Sequence, residues 1–352
     1  MMNKIGLYVH VPFCRGKCPY CDFYSVNYDK AAAESYAKAV VRNIIAYGGS
    51  FDTVYFGGGT PILLADRLGE ILSAADIESG AEITAECNPC EMNPRTLETL
   101  LKAGVNRISV GVQSLDDSEL SALGRRHDAK TAEQAILAAK SAGFDNISAD
   151  LMLAVPNQTY DSLSRTIDRL CKLPLTHISA YMLKIEPNTA FGKNTPVLPD
   201  EDLTADLYLQ TVRSFAENSF GQYEISNFAK KGFECRHNLK YWRREEYLGI
   251  GPAAHSFLGG RRFYVNRDLA AFIRSERQEE QTEDENINEY EERVMLGLRL
   301  NEGISEELWK PLEGKLKLVP KNYYTLKNGR LSLTAEGFLV SNEIISLLLA
   351  DS

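Results

Sequence analysis

A chain of 352 residues, 44% hydrophobic and 25% charged, has the make-up of a globular protein with one large domain and a smaller one. Its formal net charge of −9 argues against an electrostatic grip on nucleic acid, and no apolar run reaches the roughly 18 residues of a membrane span. The opening MMNKIGLYVHVPF lacks the layout of a secretory signal, so the chain is expected in the cytoplasm, where its seven cysteines suggest metal or redox chemistry and not a disulfide frame.

LYVHV (7–11) reads as the first strand, with Tyr8 and His10 on the face opposite Leu7 and Val9. CRGKCPYC follows, placing Cys14, Cys18 and Cys21 in a C-x3-C-x2-C pattern. A zinc site closes with four protein ligands, and no fourth Cys or His stands nearby. A [4Fe–4S] cluster has four corners, so three cysteines would leave one iron open to a substrate or cofactor. Three buried structural thiols are the alternative, which the polar, turn-rich Arg15, Gly16, Lys17 and Pro19 argue against. Tyr20, between two of the cysteines, could shield a cluster, pack on an adenine or sit in the core.

A helix over 31–47 leads to the strand TVYFGG (53–58). At its end the three glycines of FGGGTP would let the backbone approach a ligand closely. A plain strand-to-helix turn is the alternative, and a phosphate loop lacks its Lys-Ser/Thr. A helix over 63–75 and the strand EITAEC (82–87) come next; Glu86 could accept ribose hydroxyls or pair with an amine. Helices at 95–103, 131–142 and 160–171 alternate with strands RISVGV (107–112), ISADLML (147–153) and HISAYML (177–183). Glycines close ETLLKAG and ILAAKSAG in the usual helix-stop position. Gln113, Arg125 and Asp150 fall at or just past strand ends, where Arg125 or Asp150 alone could be part of a structural salt bridge. One polar group at the top of each successive strand is how a barrel assembles a site. The six units predict an α/β fold, a partial (β/α)6 parallel barrel more than a doubly wound sheet. Cys87 and Cys90 form a second C-x2-C with no further ligands close by and read as unpaired thiols, and Cys171 as a core cysteine at a helix end.

Residues 184–270 are less regular, with a helix near 200–218, then YEISNFA, HNLKYW (237–242) and GIGPAAHS (249–256). His237 and His255 lie 18 residues apart with Tyr241, Trp242 and Tyr247 between them. Such a group could offer a flat surface and an axial ligand to haem, as could Cys235; packing and loop hydrogen bonds are the alternative. The acidic QEEQTEDENINEYEE (278–292) reads as a boundary and the start of a helix, and KNGR as a hairpin turn in a small winged-helix-like module. The expected division is 1–220, 221–275 and 276–352.

With its three-cysteine motif on a β/α chain, the sequence resembles the radical S-adenosylmethionine (SAM) superfamily. YVHVPFC, FGGGTP, GVQS, YEISNFA and HN-x2-YW-x4-Y-x-G-x-G occur in the order found in its oxygen-independent coproporphyrinogen III oxidase, or HemN-like, branch. The resemblance implies a [4Fe–4S] cluster on Cys14, Cys18 and Cys21, with SAM on the open iron and cleaved by one electron to a 5′-deoxyadenosyl radical and methionine. It implies a SAM shell of Tyr8, Tyr20, Gly58, Gly59, Thr60, Glu86, Gln113, Arg125 and Asp150. His255 joins that shell where the oxidases have an apolar residue. Dedicated oxidases carry a fourth cysteine two residues after the third and a longer leading segment; here Phe23 stands there and thirteen residues precede Cys14.

These features resemble instead the branch's HemW haem chaperones. That implies haem as cargo, His237 as a candidate haem ligand and delivery to haem-dependent respiratory proteins. Any radical chemistry would need an electron donor, which the sequence does not identify. Conversion of coproporphyrinogen III to protoporphyrinogen IX is the alternative activity, and a homodimer is one assembly to consider. One departure stands out: LMLAVPNQT carries Ala154 where the branch has glycine, which would crowd the backbone on the substrate side.

Overall fold

In the computed structural model, which describes residues 4–284 and 288–350, six long strands and five long helices alternate from Ile5 to Met182, with two two-residue strands (Phe13–Cys14 and Val26–Asn27) and a short helix (Asp117–Ala122) between them. The long elements are β1 (Ile5–Val11), α1 (Lys30–Tyr47), β2 (Ser50–Gly58), α2 (Ala65–Ser73), β3 (Asp76–Cys87), α3 (Pro94–Ala103), β4 (Arg107–Gln113), α4 (Ala129–Ala142), β5 (Asn146–Leu153), α5 (Tyr160–Cys171) and β6 (His177–Met182). The strands pair in parallel and in sequence order, which gives the expected partial barrel wall. Local signals set the helix ends. Asn93 and Asp128 accept from the backbone N–H three residues on, and Gly104 and Gly143 close α3 and α4 with φ of 101° and 113°.

The wall continues past the six predicted strands. β7 (Gly221–Glu224) and β8 (Asn227–Ala229) extend it beyond β6 in antiparallel fashion. On the other side β9 (Tyr247–Ile250) pairs parallel with β1, followed by antiparallel β10 (His255–Leu258), β11 (Arg261–Val265) and β12 (Glu280–Asp284). The sheet has twelve strands, in the order β12-β11-β10-β9-β1-β2-β3-β4-β5-β6-β8-β7. The acidic run expected to start a helix therefore first supplies an edge strand, and the helix begins at Glu289; residues 285–287 lie outside the described residues. In the tail, β13 (Ile304–Ser305), β14 (Tyr324–Lys327) and β15 (Arg330–Leu333) form a small antiparallel sheet. The KNGR turn forms there, with Asn328 and Gly329 at φ 54° and 74°.

Alternation along the strands separates two environments. Leu7, Val9, Val54, Phe56, Ile108, Val110, Ile147, Ala149, Leu151, Ile178 and Ala180 are buried in the main hydrophobic cluster. The intervening residues are strongly polar: Thr53, Glu82, Thr84, Arg107, Ser109, Ser148, His177 and Ser179 are all buried. Barrels of this kind usually fill their interior with branched apolar side chains. This one places carboxylates, a guanidinium and hydroxyls beneath the strand ends.

Ala154 follows β5 in the left-handed region, at φ 56°, and is buried. Its N–H donates to Gln158 Oε1 at 2.7 Å, which holds the turn in a conformation costing a non-glycine residue about 1–2 kcal/mol. Glycine relieves that cost but loses more chain entropy on folding, by about 0.4–1 kcal/mol. Ala154→Gly is therefore expected to be neutral or stabilising by up to about 1 kcal/mol in denaturant melts. A clear loss of stability would show that the methyl group contributes packing that outweighs the backbone.

Candidate metal and cofactor site

The C-terminal ends of β1–β6 open into a cavity of about 780 Å³. The three-cysteine loop is fastened to its rim by backbone. Gly59 N–H donates to Val11 O at 2.8 Å and Thr60 N–H to Phe13 O at 2.7 Å. A Cβ on Gly59 would stand 2.6 Å from Phe13 O and 2.7 Å from Val11 O. On Gly58, at φ 102°, it would stand 2.5 Å from the His10 ring. The close approach that FGGGTP permits is thus, at these two glycines, an approach to the chain's own first strand and loop. Further ties come from Glu91, which accepts from Arg15 at 3.0 Å and Arg126 at 2.8 Å, and from Phe191 N–H to Pro19 O at 3.0 Å.

Cys14, Cys18 and Cys21 all face the cavity as free thiols. Among the described residues no group of three or more His, Cys, Asp or Glu side chains could hold a single metal ion. Three soft sulfur donors around a roomy cavity suit instead a cluster whose corners lie apart. Arg125 Nη1 donates to Cys18 Sγ and to Tyr20 OH, both at 3.3 Å, while its Nη2 is anchored on Gly111 O at 2.8 Å. The Arg125 Nε is buried without a hydrogen-bond partner. Burial raises the Cys21 thiol above its ordinary value, so iron binding there must displace a firmly held proton. The residues present therefore fit a [4Fe–4S] cluster with one corner left to another ligand.

Tyr8, Tyr20, Gly58, Gly59, Thr60, Glu86, Gln113, Arg125, Asp150 and His255 line the same cavity; His237 does not. Tyr24, Tyr55, Gly111, Tyr181 and Arg267 also line it and were missed from the sequence. Only the inward alternation of the strands could have pointed to Tyr55 and Gly111.

Comparison with known proteins completes this picture. Residues 8–170 match the family described as the radical SAM superfamily. Along nearly its whole length the chain is similar to proteins named haem chaperone HemW. It is 34% identical to that of Haemophilus influenzae and 33% to that of Escherichia coli, over 99% of every chain. The Lactococcus lactis protein is 31% identical over 98% of this chain and 97% of its own. The chain belongs to the HemW family. Its fold is also that of the radical SAM enzyme coproporphyrinogen III oxidase (HemN) of Escherichia coli, with a TM-score of 0.84 at 20% identity over 99% of this chain and 91% of that one.

In this HemW-family chain the cavity floor is electrostatically tense. Glu86 accepts from Tyr55 OH at 3.0 Å and from Gly58 N–H at 3.0 Å. Burial, reinforced by the charge of Asp150, nevertheless pushes its carboxyl up to about 7. Burial also raises Asp150, against a hydrogen bond from Ser109 Oγ at 2.9 Å. Arg107, whose Cα pairs with Thr84 one pleat below Glu86, draws both carboxylates back toward the ionised form. It is fully buried, with Nε and Nη1 lacking partners. From sequence Arg107 reads only as the start of a strand, although a charge in a strand covered on both faces is itself a signal.

His237 is fixed elsewhere. It is buried, its Nδ1 pairs with Thr53 Oγ1 at 2.9 Å and its Nε2 with Tyr241 OH at 2.8 Å. Burial, helped by Lys240, pushes its pKa down to about 3. As folded, both nitrogens are engaged, and the ring stacks on Tyr55 and meets Tyr241 edge-on. Cys235 is equally enclosed, its Sγ against Glu82 Oε1 at 3.5 Å. The second C-x2-C does not converge, since Cys87 is buried and Cys90 exposed.

The raised Glu86 carboxyl has a definite sign. Between pH 4.5 and about 7 the folded ligand-free protein holds a proton that the unfolded chain has released, so this group's contribution to stability falls as pH rises through that window. A ligand bearing an amine or ribose hydroxyls favours the ionised form. SAM affinity, measured by calorimetry, is expected to rise severalfold between about pH 6 and about pH 8. Glu86→Gln is expected to bind more weakly at the upper end and to flatten the profile, and an unchanged slope would count against the role. For the loop clamp, Gly59→Ala is expected to lower iron and sulfide retention after reconstitution; full retention would remove it.

Proposed function

We propose that this chain works in the cytoplasm, where it binds haem and passes it to haem-dependent proteins, respiratory ones among them, with its cluster and SAM site kept beside the cargo. The reading is carried by end-to-end likeness to proteins named haem chaperone. The rim of the cavity supports it. Phe23, at the position where dedicated oxidases carry a fourth cysteine, is 63% exposed and lines the opening. A large exposed apolar side chain at a cavity mouth suits a flat apolar ligand better than it suits a cluster.

The chain's own residues divide the work. Cys14, Cys18 and Cys21 would hold the cluster, which with SAM supplies one-electron chemistry given an external electron donor. Arg125 holds a cationic donor between Cys18 and the cavity, placed for a carboxylate. Glu86 and Asp150 present acceptors for an amine or ribose hydroxyls, and Tyr8, Tyr20 and Tyr55 wall them from water. Residues 1–220 are assigned to this centre and 221–275 to the wall that carries His255; the winged-helix-like domain expected from residue 276 would start after β12, which is still part of the wall. Among the described residues no helix is long and apolar enough to cross a membrane.

The test uses one anaerobic, reconstituted sample. It is titrated with haem and separately incubated with coproporphyrinogen III, SAM and reductant. Near-stoichiometric haem binding without porphyrinogen product is expected. SAM-dependent formation of protoporphyrinogen IX would overturn the chaperone reading in favour of an oxidase. Size-exclusion of the haem-loaded sample reads whether the working unit is a monomer or a homodimer.

A further inference from the structure

We propose that His255 is the protein ligand to the haem iron, with its Nε2 toward the metal and its Nδ1 held by Glu283. The inference rests on the haem-binding reading above and identifies the residue that would carry it.

The chain has five histidines, and four are closed. His10 is held by Tyr8 OH at 3.1 Å and Tyr24 O at 2.9 Å. His177 is held by Ser148 Oγ and Tyr223 OH, both at 2.8 Å, and His237 by Thr53 and Tyr241. His127 is buried with Nε2 on Val112 O at 3.0 Å and its other nitrogen sealed from solvent. His255 differs in every respect. Its side chain is 54% exposed, it lines the cavity, and among the described residues its Nε2 has no partner.

Its Nδ1 lies 3.1 Å from Glu283 Oε2. A carboxylate behind the other ring nitrogen fixes the tautomer, orients the ring and strengthens the nitrogen offered to a metal. Tyr264 stacks on the ring with centroids 5.5 Å apart and planes 27° from parallel. The backbone is equally constrained. A Cβ on Gly249 would stand 2.1 Å from His255 O, so the glycine lets β10 start hard against β9. Ser256 Oγ accepts from Gly249 N–H at 2.9 Å.

The surrounding rim matches the cargo. Haem has a flat apolar ring and two anionic propionates. Exposed Phe23 offers the apolar contact, and Lys17 and Arg267, both lining the cavity, offer cations in a chain whose net charge is −9. Arg267 is 59% exposed and pairs only loosely with Asp22 at 3.2 Å, so a propionate can compete for it.

The test is a titration of the full-length, reconstituted chain with haemin, followed by absorbance and electron paramagnetic resonance of the haem iron. His255→Ala is expected to weaken haem binding at least tenfold and to change the iron's spin state, and added imidazole to restore the original spectrum. Glu283→Gln is expected to keep the ligation while weakening affinity severalfold. Iron and sulfide content of the same samples reports folding, and His255→Gln replaces the alanine variant should that one lose its cluster. A wild-type spectrum and affinity in His255→Ala would overturn the assignment alone. Weakened SAM binding with an unchanged haem spectrum would overturn it too, placing His255 in the SAM shell. Failure of the wild-type chain to bind haem would overturn this assignment and the chaperone reading together.

Discussion

Two backbone hydrogen bonds, from Gly59 N–H to Val11 O and from Thr60 N–H to Phe13 O, hold the three-cysteine loop against the open end of the barrel. They act with the pairing of Phe13–Cys14 to Val26–Asn27 and with buried Phe13 to fix a loop whose centre is polar and rich in turn residues. Val11 ends β1, which lies between β2 and β9 in the twelve-stranded sheet, so the clamp ties the thiols to a strand paired on both sides. It works only because Gly59 has no side chain. The atoms a Cβ would meet are carbonyl oxygens, which cannot swing aside as a flexible side chain could.

Below the clamp the barrel interior trades stability for binding capacity. Glu82, Glu86, Arg107, Asp150 and His177 occupy positions that a purely structural barrel would fill with valine or isoleucine. Burying two carboxylates near one guanidinium leaves them reluctant to ionise, and Arg107 keeps donors unpaired. Such a floor gains when a ligand arrives with an amine, hydroxyls or a cationic centre. The polar layer thus links sequence alternation directly to recognition: the same two-residue period that buries Ile108 and Val110 outward turns Arg107 and Ser109 inward.

Much of this was legible in the sequence where the controlling physics is local. The cysteine spacing, the capped helices with their glycine stops, and the six β/α units all depend on neighbours a few residues apart. Polar groups at strand ends were legible too, because a parallel barrel concentrates its chemistry there. What escaped depends on distant partners. β7–β12 are short strands recruited as edge extensions, and β9 finds β1 across more than two hundred intervening residues. From the residues alone His237 and His255 are two histidines among aromatics, and only the family resemblance set them apart, one toward haem and one toward SAM. Their surroundings diverge because α6 (Arg236–Trp242) turns one beneath Tyr55 while β10 leaves the other at the rim. Gly58 and Gly59 were recognised as sites of close approach, but that the first partner is the chain itself follows only from the fold.

The claim on which the account turns is that three thiols hold a cluster and leave its fourth corner to a ligand inside this cavity. Electron–nuclear double resonance of the reduced, reconstituted chain with nitrogen-labelled SAM tests it most directly. The expected result is a hyperfine coupling showing the labelled amine in contact with the cluster, lost when unlabelled SAM is substituted. Bound SAM with no coupling, or a cluster ligated by protein at all four irons, would contradict it.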